Sequence, residues 1–157
     1  MPRKRSKYGV SITKSGIKQR TSKDIRTGKD IIFDSLLEQK FYTTYLAPKF
    51  KSGEIVDYEL QKKYPLQPSF KYNGKTIRAV DYLADYWVLW NDGHEQVFEI
   101  KGGMVDSVAK LKKKLTQYKY PDLDYDWWYY TEKTGWILWD EYEKIKRERK
   151  KAKKVGN

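Results

Sequence analysis

The stretch from Val80 to Gly103 constrains this chain more than any other: VDYLADYWVLW, then NDG, then HEQVFEIKGG. It reads as two strands joined by a tight turn, with charges where a buried sheet is normally apolar. Asp81 and Asp85 interrupt an otherwise apolar and aromatic run from Val80 to Trp90, and Glu99 and Lys101 flank Ile100. Side chains alternate across a strand, so Glu99 and Lys101 share one face, roughly 7 Å apart, and Asp81 and Asp85 share a face of theirs. Pairing the hairpin brings three carboxylates and an ammonium to one surface. An unpaired buried carboxylate costs on the order of several kcal/mol, so such groups are paired or bind metal. The arrangement predicts a catalytic metal site; a simple Glu99–Lys101 ion pair is the plainer alternative.

Composition narrows the chemistry. The chain has no cysteine and one histidine, His94. Disulfides, cysteine-bound zinc, iron–sulfur clusters and a cysteine nucleophile are therefore excluded. A Ser-His-Asp triad is disfavoured because its base would have to be His94, beside a turn. Carboxylates, Lys, Tyr or Ser must carry any reaction. No apolar run approaches the ~20 residues of a membrane span, and no apolar signal segment follows the start. A cytoplasmic protein with no membrane partner is expected.

The formal net charge of +12 is concentrated at the ends of the 157-residue chain. Ten cations, among them Arg3, Lys4 and Arg5, face a single acid, Asp24, within residues 1–29, and a second cationic run closes the chain from Lys144 to Lys154. Such ends favour a polyanion, above all nucleic acid. Residues 1–29 read as a flexible basic arm, 30–140 as the folded domain and 141–157 as a basic helical tail.

From Ile31 the period becomes helical. Phe33, Leu37, Phe41 and Tyr45 recur at steps of four, Asp34 or Ser35 is the expected N-cap, and Pro48 marks the expected end. Glu38 stands three residues after Ser35, as in a capping box; the functional alternative aims it at the hairpin acids. An extended segment containing Gln61 follows, with Pro65 and Pro68 keeping the next stretch at an edge or in a loop. Asn73-Gly74 signals a hairpin turn. Residues 75–90 then read as one long strand, Asn91-Asp92-Gly93 as a turn and Gln96–Lys101 as the returning strand.

After Gly103 the helical period returns, with Val105, Val108, Leu111 and Leu115 as the apolar face and Lys110, Lys112, Lys113 and Lys114 as a basic surface. Pro121 stops that helix. A strand through LDYDWWYY, a TEKTG turn, a short WILW strand and a charged final helix with fraying last turns complete the chain. The expected fold is α/β, with a mixed sheet flanked by helices and an antiparallel hairpin carrying the site.

At Ala84-Asp85 and Glu99-Ile100-Lys101-Gly102 the sequence resembles the PD-(D/E)XK nuclease superfamily, without the proline that usually precedes the Asp. It is most similar to the small phage-encoded Holliday junction resolvases and recombination endonucleases. The likeness spans residues 31–118 through Ser35 to Glu38, Gln61, Tyr82 to Tyr86 and the Lys-Gly ending; it does not extend past Asp122. The resemblance implies a restriction-endonuclease-like core and metal-dependent hydrolysis of DNA phosphodiesters, in the host cytoplasm if the chain is phage-encoded. Asp85 and Glu99 would bind Mg²⁺ or Mn²⁺ with the Ile100 carbonyl, and Glu38 would complete the shell. Lys101 would orient the attacking water or stabilise the developing charge. Asp81 is the rival to Asp85. Arg3, Lys4, Arg5, Lys110, Lys112, Lys113 and Lys114 would contact DNA. Resolution of a four-way junction needs two symmetric cuts, hence a homodimer, with Trp127, Trp128, Tyr129, Tyr130, Trp136 and Trp139 available to its interface or to the core. A non-catalytic nucleic-acid-binding protein is the alternative from another class, and a transposon-end or restriction-like endonuclease the alternative among enzymes.

Overall fold

Apolar alternation from Ile55 onward, broken by glycine- and asparagine-bearing turns, builds a five-stranded mixed sheet. The structure, a computed structural model, describes residues 19–156. The strands lie in the order β3 (Ile55–Gln67), β6 (Val80–Trp90), β7 (Glu95–Ile100), β8 (Tyr125–Thr131) and β9 (Gly135–Leu138). β6 and β7 are antiparallel, β7 and β8 parallel, and β8 and β9 antiparallel. The parallel pair needs a crossover, which the helix α3 (Ser107–Lys119) supplies. The expected mixed α/β architecture is therefore observed. Among the described residues, no helix is long and apolar enough to cross a membrane.

The described residues divide into two compact units, 19–56 and 57–156. In the first, β1 (Thr21–Lys23) and β2 (Asp30–Ile32) form an antiparallel ribbon. This ribbon falls largely within the stretch expected to be an arm; Arg3, Lys4 and Arg5 lie outside the described residues. Helix α1 (Leu36–Phe41) opens on Ser35, whose Oγ accepts from the Glu38 amide at 3.1 Å. The helix does not stop before Pro48 as expected. It widens into a π-helical turn (Tyr42–Leu46) and continues as α2 (Ala47–Lys51), with Pro48 in its first turn. A proline ring clashes with the carbonyl four residues back and brings no N–H, and a widened turn just before it relieves both demands. Phe33, Phe41, Tyr42, Leu46 and Ala47 are buried here, whereas Leu36 is exposed.

In the second unit β3 is an edge strand, which lets it contain Pro65. Gln61 adopts a positive φ of 57° within it. The expected strand over residues 75–90 is two strands. Among the described residues, β5 (Lys75–Ile77) pairs only with β4 (Phe70–Tyr72), across the Asn73-Gly74 turn, and β6 starts afresh at Val80. Asn73 and Gly74 both have positive φ, 47° and 73°, as a two-residue hairpin turn requires.

One face of the main sheet carries the apolar cluster Tyr64, Tyr82, Ala84, Val97, Tyr125, Trp127 and Trp139. Helix α3 docks on it differently from the expected stripe. Val108, Leu111 and Leu115 are exposed, while Val105 and Ala109 pack against the cluster and Thr116 is fully buried. Small residues let the helix backbone approach the sheet, and the Thr116 hydroxyl is satisfied by donating to the Lys112 carbonyl at 2.7 Å. Helix α4 (Trp139–Val155) stays helical through the turns expected to fray. Trp139 anchors it, with ring centroids 5.5 Å from Tyr129 and 6.5 Å from Trp127. Trp127 and Trp139 thus serve the core.

The opposite sheet face buries Tyr86, Val88, Phe98 and Ile100. Phe98 is fully buried, so Phe98→Ala should cost about 3–5 kcal/mol by transfer and cavity terms. Leu111→Ala, on the exposed side of α3, should change stability by less than about 0.5 kcal/mol. Chemical denaturation of the two variants checks both values.

Candidate active site at the end of the β6–β7 hairpin

Hairpin register sets Asp85 beside Glu99, and an irregularity in β6 brings Tyr82 to the face of Glu99. Register pairs Trp87 with Val97, and Val97 and Glu99 with Tyr125 and Trp127, so these five side chains share a face. Strict alternation would put Tyr82 on the other face. Instead its ring lies 5.0 Å from that of Tyr125, and its hydroxyl donates to Glu99 Oε2 at 2.7 Å. The alternation of β6 therefore slips by one residue between Tyr82 and Trp87, as at a β-bulge. The paired register ends at Tyr86 and Phe98, next to Asp85. There Asp85 Oδ2 accepts from the Ile100 amide at 2.8 Å. The side chain takes over a ladder position that the backbone gives up.

Glu99 is held on both oxygens. Oε2 accepts from Tyr82, and Oε1 accepts from Lys101 Nζ at 2.9 Å. The pair is mostly withdrawn from water, with Glu99 and Lys101 side chains 13% and 17% exposed. Lys101 follows the last residue of β7, and its amide donates to the Trp128 carbonyl at 2.8 Å, so the parallel strand fixes its backbone. Its Nζ also lies 4.8 Å from the Trp127 ring centre, and Lys113 Nζ from α3 lies 4.6 Å from the same ring. Two cations on one indole are attracted by its π face. Trp127 in turn donates Nε1–H to the Tyr125 hydroxyl at 2.8 Å.

The tyrosines report the local field. Burial raises the pKa of Tyr82 well above its usual value, and Glu99 and Asp85 raise it further. Tyr125 is raised by burial and by the same two carboxylates. Asp85 and Glu99 thus act on one pair of rings. Asp81 is turned to other partners: its carboxylate lies 3.6 Å from Lys63 Nζ, and its carbonyl accepts from Lys112 Nζ at 3.0 Å.

Among the predicted site residues, Asp85, Glu99, Ile100 and Lys101 come together. Glu38 lies in the first unit, buried, where its Oε1 accepts from Ser35 Oγ at 3.0 Å. Of the four α3 lysines expected to contact DNA, Lys110 and Lys114 are exposed and Lys112 and Lys113 half-buried. From sequence, Tyr82 entered only as part of a strand motif and Trp127 only as an interface or core residue; register opposite Glu99 is what recruits Trp127 to the site. Among the described residues, no group of three or more Asp, Glu or His is placed to hold a metal ion. Two carboxylates and a carbonyl nevertheless suit Mg²⁺, which is commonly bound by one or two carboxylates with water completing its shell.

A cleft of about 540 Å³ opens elsewhere, lined by Gly93, His94, Lys119 and Asp124 among others. His94 Nε2 lies 2.6 Å from Asp124 Oδ2 there. The cleft sits at the start of β7, away from Lys101 at its end.

Burial raises the pKa of Tyr64 to about 12, with Glu95 and Glu59 adding to it. A folded-state pKa above the unfolded value gives stability that is whole below about pH 10 and is lost as pH rises toward 12. Absorbance titration of tyrosinate should show a late class in wild type that loses one member in Tyr64→Phe. Titration of every tyrosine near pH 10 in the folded protein would contradict this assignment.

Searches of curated proteins and of solved structures find no match to the chain. Residues 18–135, more than half of the chain, match the family described as protein of unknown function, DUF1064, and the chain belongs to that family.

Proposed function

We propose that the protein is a metal-dependent DNA endonuclease whose site is Asp85, Glu99, Ile100 and Lys101. The observation that carries this reading is the convergence of a carboxylate from each hairpin strand with a lysine held on the second. The order of β3, β6 and β7, a crossover helix, and β8 parallel to β7 also supports a restriction-endonuclease-like core. The net charge of +12 supports a polyanionic substrate.

Bound Mg²⁺ or Mn²⁺ would supply Lewis acidity and acidify a coordinated water. Asp85, Glu99 and the Ile100 carbonyl would hold it. Tyr82 fixes the orientation of Glu99 through its hydroxyl, and Asp85 is fixed by the Ile100 amide. Lys101 Nζ is the nearest donor for a phosphate oxygen or an attacking water, and its contact with Glu99 keeps it aimed at the site. Because Lys101 already neutralises Glu99, metal binding would share that carboxylate or displace the ammonium. Branched DNA is the substrate class favoured by the resemblance to phage resolvases, and two symmetric cuts call for a homodimer.

A second reading has its own observation: both Glu99 oxygens are engaged within the protein, as in a structural ion pair. The protein would then bind nucleic acid without cutting it.

One gel separates the two. Four-way junction, linear duplex and single strand are incubated with Mg²⁺, Mn²⁺ or EDTA. Metal-dependent cutting of the junction is expected, falling by about a hundredfold or more in Asp85→Asn, Glu99→Gln and Lys101→Ala. Binding without cutting in either metal, or wild-type rates in all three variants, would remove the nuclease reading. Affinity should fall steeply with salt, as expected for multiple phosphate contacts.

A further inference from the structure

Among the described residues, the ribbon of β4 and β5 is paired to nothing but itself. All six of its strand residues are exposed. An isolated two-stranded hairpin is marginal in water, and apolar side chains are an unusual covering for one. Register places Phe70 opposite Ile77 and Tyr72 opposite Lys75, so these four share a face. Phe70 is 44% exposed, Tyr72 66% and Ile77 38%. On the other face, Lys71 Nζ donates to Thr76 Oγ1 at 2.6 Å and bridges the strands. The tight Asn73-Gly74 turn fixes the two strands at their tip.

Charge identifies the occupant. From Gln61 to Val80 the chain carries Lys62, Lys63, Lys71, Lys75 and Arg78 and not one carboxylate. A second copy of the ribbon would set cations against cations. An aromatic face that also carries Lys75, on a segment whose charges are all cationic, fits a partner that is both polyanionic and flat-faced. Nucleic acid with unpaired bases is that partner, because phosphates meet the cations while exposed bases stack on the rings. A closed duplex offers the phosphates but hides the base faces.

We infer that the β4–β5 ribbon is a nucleic-acid-binding element that stacks unpaired bases on Phe70 and Tyr72. This rests on the proposed function only in taking nucleic acid as the ligand, and it is indifferent to whether the protein cuts.

The test is anisotropy binding in EDTA, so that cleavage plays no part. Two DNA probes share one sequence: a fully paired duplex, and a duplex with a short unpaired gap carrying 2-aminopurine. The Phe70→Ala/Tyr72→Ala protein should bind the gapped probe at least about tenfold more weakly, with little change on the closed duplex. Wild type should quench the 2-aminopurine, and the double variant should not. Phe70→Tyr/Tyr72→Phe keeps both rings and should retain affinity and quenching, separating stacking from damage to the ribbon. Equal binding of both probes by wild type and the alanine variant would overturn the inference. So would complete competition by polyglutamate at equal charge, or a wild-type self-association that the alanine variant loses while its DNA binding is unchanged. If wild type behaves as expected here but cuts nothing in Mg²⁺ or Mn²⁺, the nuclease reading fails and the ribbon assignment stands.

Discussion

The Glu99–Lys101 pair is the constraint around which the hairpin end is arranged. Neither charge is tolerable in that position alone, because each is largely withdrawn from water. Together they still leave one carboxylate oxygen to be satisfied, and Tyr82 satisfies it. That demand places Tyr82 on the face of Glu99, which brings in Tyr125, and Tyr125 accepts from Trp127. The aromatic core on this side of the sheet is thus continuous with the polar site. A substitution in one is felt in the other.

Parts of the fold with local causes were legible in the sequence. The Asn73-Gly74 and Asn91-Asp92-Gly93 turns follow from the positive φ that their glycines adopt. The Ser35 cap follows from a hydroxyl three residues ahead of an amide it can accept from. The meeting of Asp85 with the Glu99 strand follows from the length of the hairpin. Local periodicity failed where two faces of one element were both plausible. In α3, the bulkier apolar stripe lost to Ala109 and Thr116 because closeness of backbone approach decided the docking. That choice depends on the shape of the sheet beneath, which no window of sequence contains.

The site residues given another role from sequence have the same explanation. Lys113 was expected on a basic surface that contacts DNA, yet its ammonium lies against Trp127, a residue brought there by parallel pairing with Glu99. Parallel register is set by a crossover rather than by a turn, so no local signal announces it. The π-helical turn before Pro48 was hidden for a different reason. A proline ordinarily ends a helix, and only the actual path shows the backbone widening to carry it.

The slip in β6 has a consequence for how this chain tolerates change in length. Side chains along a strand have a period of two, and the slip supplies the one-residue offset that sets Tyr82 and Trp87 on the same face. Removing one residue at the slip would leave a regular strand with both still on that face, but without the irregularity beside Asp85 and its bond to the Ile100 amide. Removing one residue elsewhere in β6, with the slip kept, would exchange the faces of everything on one side of the deletion. Point substitutions here trade one contact for another, whereas a deletion outside the slip rewrites the parity of the strand. The imperfect strand works as a phase marker, and the site exists only when the count is right.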